Sequence, residues 1–270
     1  MKVGFIQFKP IFGDISGNIR RSLQLIRKTA DADLLVLPEL CTTGYLFEKQ
    51  VEVQELAEVV PSGETTQRLM EVAEETNTFL VAGICEKGKN NKYYNSAVLL
   101  GPKGFIDVYR KVHLFDKEKL FFSPGTNPFK IYDIGQAKIG ILICFDWIFP
   151  EATRVLALKG AEIICHPANL VLPYAQKTML ARSIENRVFT ITANRIGREQ
   201  RPNSSLTFTG QSQITSPKME LLVSASPDRE EVHCLDIDPS IARDKKVTEN
   251  NDIFNDRRID LYTSLLKKHF

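Results

Sequence analysis

An α/β fold carrying mixed β-sheet is what this 270-residue chain predicts, on three observations. Apolar runs of strand length recur along it, helical periodicity fills several gaps between them, and one pair of runs is joined too tightly for a crossover helix. The runs cover residues 3–8, 34–37, 79–85, 139–145, 163–165 and 189–193. Between them, Ile19, Leu23, Ile26 and Ala30 fall on one helix face, and residues 65–76 and 152–158 repeat the pattern. The tight connection is Gly101-Pro102-Lys103-Gly104, which joins residues 93–100 to 105–112 as a hairpin with Lys111 late in its second arm. Residues 196–220 are rich in Ser, Thr, Gly and Pro but lie between strand-like stretches, so they predict a loop inside one domain rather than a linker. A single domain over 1–270 is expected, with a charged, weakly periodic tail at 238–270.

Composition narrows the function classes. Hydrophobic residues at 43% and charged residues at 25% are the balance of a globular chain with a sizeable core. With 35 basic and 33 acidic side chains the net charge is +2, too small a field to recruit nucleic acid or an acidic membrane. The five cysteines (Cys41, Cys85, Cys144, Cys165 and Cys234) are odd in number and form no Cys-x-x-Cys pair, which argues against a disulfide framework or a zinc site. The apolar stretch ahead of Lys9 and Pro10 is too brief for a signal-peptide core and no run reaches membrane-spanning length, so a cytoplasmic protein is expected.

Three residues stand where chemistry could be placed. Cys144 falls where a strand gives way to a turn, with Pro150 and Glu151 marking a helix start shortly after. That helix end is expected to favour a thiolate, and the Phe145 N–H to face an oxyanion beside the sulfur. Glu39 follows the apolar run at 34–37 and so brings a carboxylate close to a core, where burial raises its proton affinity and a lysine lowers it. Gly44 and Tyr45 then read as a turn with an aromatic wall. In the alternating segment around Lys111, Tyr109, Lys111 and His113 share one face and Val108, Arg110 and Val112 the other. Taken singly, each of the three fits a packing or solvent-exposed role as well. Cys165 with His166 is a rival thiol–imidazole pair, but neighbours in a strand point to opposite faces, and strand-end packing is the better reading. The other histidines, His113, His233 and His269, are scattered.

Together the three runs resemble the nitrilase superfamily of carbon–nitrogen hydrolases along nearly the whole chain. The superfamily's Glu–Lys–Cys triad falls on Glu39 in LPELCTTGY, Lys111 in YRKVHLF and Cys144 in GILICFDWIFPE. A second active-site glutamate falls on Glu118 in HLFDKEKLFFSPG, and a pocket strand and helix on the stretch holding Asn169, Glu185 and Asn186. The resemblance implies a four-layer αββα sandwich with two mixed sheets, and a cysteine-dependent hydrolase that turns a small amide or nitrile into a carboxylic acid and ammonia through a thioester on Cys144. It implies Lys111 and Phe145 as oxyanion partners and needs neither metal nor organic cofactor. Tyr45, Trp147 and Asn169 are the expected substrate-binding residues. NDIFNDRR in the tail is similar to the C-terminal arm of small thermophilic nitrilases, which implies a homodimer. The chain departs from the pattern at Ile148, where many amidase-like members carry Arg, and at Phe145-Asp146, where other members carry Trp-Glu. Hydrolysis of N-carbamoyl amines, acyl transfer to an amine, and a non-catalytic binding role are the competing readings.

Overall fold

The structure, a computed structural model, describes residues 1–29 and 31–267. In chain order it runs β1 (Lys2–Gln7), α1 (Ile15–Arg27), β2 (Leu34–Val36), α2 (Gln50–Leu56), α3 (Glu64–Thr76), β3 (Phe79–Lys87), β4 (Tyr93–Gly101), β5 (Gly104–Arg110), α4 (Glu118–Phe121), β6 (Ile131–Asp133) and β7 (Lys138–Ile141). It continues through α5 (Pro150–Leu158), β8 (Ile163–Ala168), α6 (Ala175–Asn186), β9 (Phe189–Asn194), β10 (Ile196–Gln200), β11 (Ser205–Thr209), β12 (Gln213–Thr215), β13 (Leu221–Ser224) and β14 (Glu231–Asp236). The tail adds a small hairpin, β15 (Lys246–Thr248) with β16 (Asn251–Asp252), and short 3₁₀ turns.

Two six-stranded sheets result, ordered β14-β1-β2-β3-β4-β5 and β13-β12-β9-β8-β7-β6. Each has three parallel strands at its centre, β1-β2-β3 in one and β7-β8-β9 in the other, and antiparallel strands outside them. Alternation along the strands sends side chains to two cores. From the first sheet Val3, Phe5, Leu34, Val36, Val81, Ala97 and Leu99 meet Ile139, Ile141, Ile163, Ile191 and Ile214 of the second. The opposite face of the first sheet packs on α1 and α3 through Ile6, Leu35, Leu80, Ile19, Ile26, Leu69 and Val72. The second sheet's outer face, with Leu142 and Ile164, packs on Ala152 and Leu156 of α5. These are the layers of an αββα sandwich.

Local chemistry sets the helix ends. Asp14 caps α1 by accepting the Gly17 N–H at 3.0 Å, and Ile19, Leu23 and Ile26 supply its buried stripe. Ala30, the fourth residue of that predicted face, lies outside the described residues, as does His269. Pro150 occupies the first turn of α5, where its missing N–H costs nothing.

Two expectations are corrected. The strand predicted over 139–145 stops at Ile141, and a 3₁₀ turn at Cys144–Ile148 separates it from α5, because Cys144 adopts φ +39° and cannot extend a strand. The stretch 196–220 is not a loop. It forms the hairpin β10–β11 and the strand β12, in which Thr207, Thr209 and Thr215 behave as the β-branched residues they are. No helix among the described residues is long and apolar enough to cross a membrane.

Candidate active site

Glu39, Lys111 and Cys144 all follow the carboxyl ends of strands at one edge of the sandwich, where α/β folds place their ligands. Glu39 lies three residues past β2 in a segment laid against β3. Pro38 O accepts the Gly83 N–H at 3.1 Å and Gly83 O accepts the Cys41 N–H at 3.0 Å. A Cβ on Gly83 would stand 2.4 Å from Glu39 Cα, so only glycine lets the two backbones meet this closely. From the second sheet, Asn169 Nδ2 donates to Glu39 O at 2.9 Å.

Lys111 is the first residue after β5. Its N–H donates to Asn95 O at 2.8 Å, and the alternation read from sequence continues through it. Arg110 turns outward to Glu86 (Nε to Oε2 2.9 Å) and over the Tyr94 ring, while Tyr109 and Lys111 turn inward. Lys111 Nζ lies 2.7 Å from Glu39 Oε1 and 2.7 Å from Glu118 Oε1, and both Lys111 and Glu39 are fully buried. One ammonium thus joins two carboxylates and keeps one of its three donors in reserve.

The carboxylates are held differently. Glu118 opens α4; its Oε1 also accepts the Tyr45 hydroxyl at 2.8 Å, and its Oε2 accepts the Phe115 N–H at 3.1 Å. Glu39 Oε1 accepts Lys111 and Asn95 Nδ2, the latter at 2.6 Å, whereas Oε2 is buried with no hydrogen-bond partner among the described residues.

Cys144 opens the 3₁₀ turn, is 5% exposed, and lies close enough to Glu39, Lys111 and Glu118 to feel the charge of each. His166 Nε2 holds its carbonyl at 2.9 Å while Nδ1 bonds Thr192 Oγ1 at 3.1 Å; burial lowers the proton affinity of this imidazole, so Nε2–H of the neutral ring donates. Asp146, fully buried, accepts the Ile143 N–H (2.9 Å), the Tyr109 hydroxyl (2.8 Å) and the His113 N–H (3.1 Å), tying the Cys144 turn to the strand of Lys111. Phe145 is the second residue of the turn, where a helical N–H lacks an intrahelical acceptor.

The electrostatics correct one expectation. α5 starts six residues beyond Cys144, too far for its dipole to reach the sulfur, since that effect fades within a turn. Burial, then Glu39, push the thiol well above its ordinary value against the pull of Lys111, so the resting side chain is a thiol. Burial also raises Glu118, with Lys111 opposing. Burial works to deprotonate Lys111, but Glu118 and Glu39 outweigh it and hold the ammonium above its usual range.

Phe145, Trp147 and Asn169 line a cavity of about 10 Å³ at Cys144, closed by Phe115 and Leu170–Leu172, which is room for roughly one water. Tyr45 does not reach it. The Tyr45 ring packs edge-on against Phe208 and lines a separate cavity of about 140 Å³ that ends on Glu118 and shares the Phe115 wall. Larger cavities of about 560 and 640 Å³ lie around α5 and the tail, remote from these groups. Cys165 is buried in the inter-sheet core and His166 serves the Cys144 carbonyl, so the rival pair does not meet. Asn95, Asp146 and the role of His166 were not read from sequence; the signal available was a polar residue inside an apolar run.

Comparison with known proteins adds an independent line. The family model described as carbon–nitrogen hydrolase matches residues 2–246. A nitrilase of Pyrococcus abyssi is 48% identical over 264 residues, 97% of this chain and 99% of that one. An N-carbamoylputrescine amidase of Solanum lycopersicum is 31% identical, covering 94% of this chain and 91% of the relative. Among solved structures, a carbon–nitrogen hydrolase from Helicobacter pylori superposes with a TM-score of 0.90 at 28% identity, covering 99% of this chain and 98% of that one.

Proposed function

The chain belongs to the carbon–nitrogen hydrolase family, and from that premise we propose that it hydrolyses a small amide or nitrile through a covalent thioester on Cys144. One observation carries the reading: a fully buried ammonium 2.7 Å from each of two carboxylates, next to a buried thiol on a turn of positive φ. An arrangement this costly to bury is the kind concentrated at catalytic centres.

Glu39 takes the Sγ proton as the sulfur attacks the amide carbon. The developing oxyanion receives the spare Lys111 N–H and the Phe145 N–H. Collapse of the tetrahedral adduct expels ammonia, which leaves with the proton Glu39 returns to nitrogen. Water then attacks the thioester, Glu39 again accepts a proton, and the carboxylic acid departs from a restored thiol. A nitrile enters the same sequence through a thioimidate and consumes one more water. Glu118 has both oxygens occupied, which fits a role in holding Lys111 rather than in proton transfer.

The apolar walls beside Cys144 (Phe115, Phe145, Trp147 and Leu170) favour a short, uncharged acyl group over a charged one, with Asn169 contacting it once the one-water space opens to admit substrate. Tyr45 acts at a distance from the substrate, donating to Glu118 and so helping to fix the carboxylate that holds Lys111. The second reading, an N-carbamoyl amine, draws on the likeness to the tomato amidase and on Asp116 in the neighbouring cavity, an acid that could face an amine although Lys117 lines the same space. We further read the protein as a cytoplasmic homodimer, supported by five free cysteines and by Leu261, Leu265 and Leu266 exposed along the tail.

The deciding experiment is intact-mass spectrometry of rapidly quenched mixtures with succinamate, small dinitriles and carbamoyl amines, read beside ammonia release. The acyl mass is expected on the wild type and absent from Cys144→Ala. An adduct that survives the alanine change, or no ammonia from any compound, overturns the proposal.

A further inference from the structure

We propose that Asn95 is a positioning residue that decides which oxygen of Glu39 accepts the proton of the nucleophile. The inference rests on the reading of Glu39 as the base of Cys144.

A carboxylate offers two equivalent oxygens, and catalysis at a fixed sulfur needs one of them in a fixed place. In this site the two are unequal. Oε1 accepts Lys111 Nζ at 2.7 Å and Asn95 Nδ2 at 2.6 Å; Oε2 is buried and no donor, the Cys144 thiol included, is bonded to it in the resting arrangement. Lysine alone cannot impose this difference. Its ammonium is a compact charge on a flexible stem and would donate to either oxygen. The planar amide on β4 can present only its nitrogen to a carboxylate, and it comes from a strand rather than a loop. With Oε1 bound by both, rotating the carboxylate would break two charge-assisted bonds at once.

A purely structural role accounts poorly for this side chain. Asn95 is 1% exposed on a strand whose next inward positions, Ala97 and Leu99, are apolar core. Its Oδ1 has no partner among the described residues, so as a packing element it buries an unpaired acceptor. Its Nδ2 bond to Glu39 is what the site gains in return. Its backbone carbonyl also takes the Lys111 N–H, so one residue aligns base and ammonium.

The test is the rate at which iodoacetamide alkylates Cys144, followed by mass across pH 6–9, for wild type, Asn95→Ala, Asn95→Asp, Glu39→Gln and the double variant Asn95→Ala/Glu39→Gln. A positioned base contributes about 10²–10⁴-fold, and loosening it is expected to slow alkylation about 10- to 100-fold in Asn95→Ala. Glu39→Gln is expected to be at least as slow, and the double variant no slower than Glu39→Gln alone, because Asn95 acts only through Glu39. Asn95→Asp keeps the side chain's shape should the alanine variant fold poorly; its carboxylate repels Oε1, so its deficit is expected to grow as pH rises. If Asn95→Ala alkylates at the wild-type rate while Glu39→Gln is slow, or if the two losses multiply in the double variant, the proposal falls and the reading of Glu39 stands. If Glu39→Gln itself matches wild type, that reading falls and takes this proposal with it.

Discussion

Lys111→Met is the perturbation that asks most of the site. The methionine retains most of the stem's volume and removes the ammonium between Glu39 and Glu118, neither of which has more than 5% of its side chain exposed. Two charge-assisted hydrogen bonds disappear, at about 1.5–3 kcal/mol each, and breaking a buried ion pair from one side costs about 3–5 kcal/mol. The two figures describe the same loss, so about 3–5 kcal/mol of destabilisation is expected at pH 8, or a fall of about 10 °C in Tm for a chain of this size. The penalty has a pH signature. Burial already raises Glu118, and without the ammonium its proton is held more tightly still. A carboxyl group raised in the folded state favours folding below its unfolded value of about 4.3 and loses that contribution as pH climbs through the folded value. The deficit of the variant against wild type is therefore expected to shrink from pH 8 to pH 5 in urea unfolding, and Lys111→Met/Glu118→Gln is expected to recover part of it. If Lys111 donates to the oxyanion as proposed, its loss should lower kcat by about 10²–10³. A variant within 1 kcal/mol of wild type at pH 8, an estimate below every figure above, would refute the reasoning.

Two further outcomes follow from particular contacts. Gly83→Ala forces the Glu39 segment off β3, because the added methyl would stand 2.4 Å from Glu39 Cα; overpacking of this kind costs about 1–3 kcal/mol, and kcat is expected to fall more than stability does, by about 10²-fold for a shift of about 1 Å. Unchanged kcat in Gly83→Ala would show that the segment can move without consequence. Lys245 bonds Asn186 O and Arg187 O at the end of α6, and burial, followed by Arg187, lowers it to about 8. Between that value and the ordinary value of about 10.4 the unfolded chain binds more protons, so stability rises with pH across this window. Comparing wild type with Lys245→Gln by thermal melts at pH 8 and pH 10 should isolate that rise in the wild type; parallel curves would remove Lys245 as its source.

How much of this was legible beforehand depends on what each residue's type betrays. The alternation of apolar runs and helical stripes carried the layers, since Ile139, Ile141 and Ile163 are buried for the reason their pattern suggests. Glu39, Lys111 and Cys144 were individually ambiguous and became a set only through the resemblance; no property of Lys111 itself says that Glu118 will stand 2.7 Å away. The β10–β11 hairpin was hidden because its stability comes from a remote source. Arg195, fully buried, bonds Glu199 Oε2 at 2.5 Å, and Glu199 accepts the Tyr45 N–H at 3.1 Å, contacts that composition cannot display. The conformation of Cys144 was missed for a similar reason. The sequence places a turn at Cys144 but carries the strand to residue 145 and gives no sign of the positive φ; what bends the chain there is Asp146 accepting the Ile143 N–H and the His166 ring holding the Cys144 carbonyl.

Glu39 and Lys111 issue from one sheet, Cys144 and Asn169 from the other, and their separation is set by the apolar interior of the sandwich together with the few polar bonds that cross it, Asn169 to Glu39 O and Tyr109 to Asp146 among them. Turnover is thereby a gauge of how the two halves are seated. A methyl deleted at Val36 or Ile163, core residues that make no polar contact with the site, is expected to let the two halves shift and lower kcat while leaving circular dichroism nearly untouched. Enzymes assembled this way lose competence before they lose shape, and their tolerance of interior substitutions should be judged by rate rather than by melting.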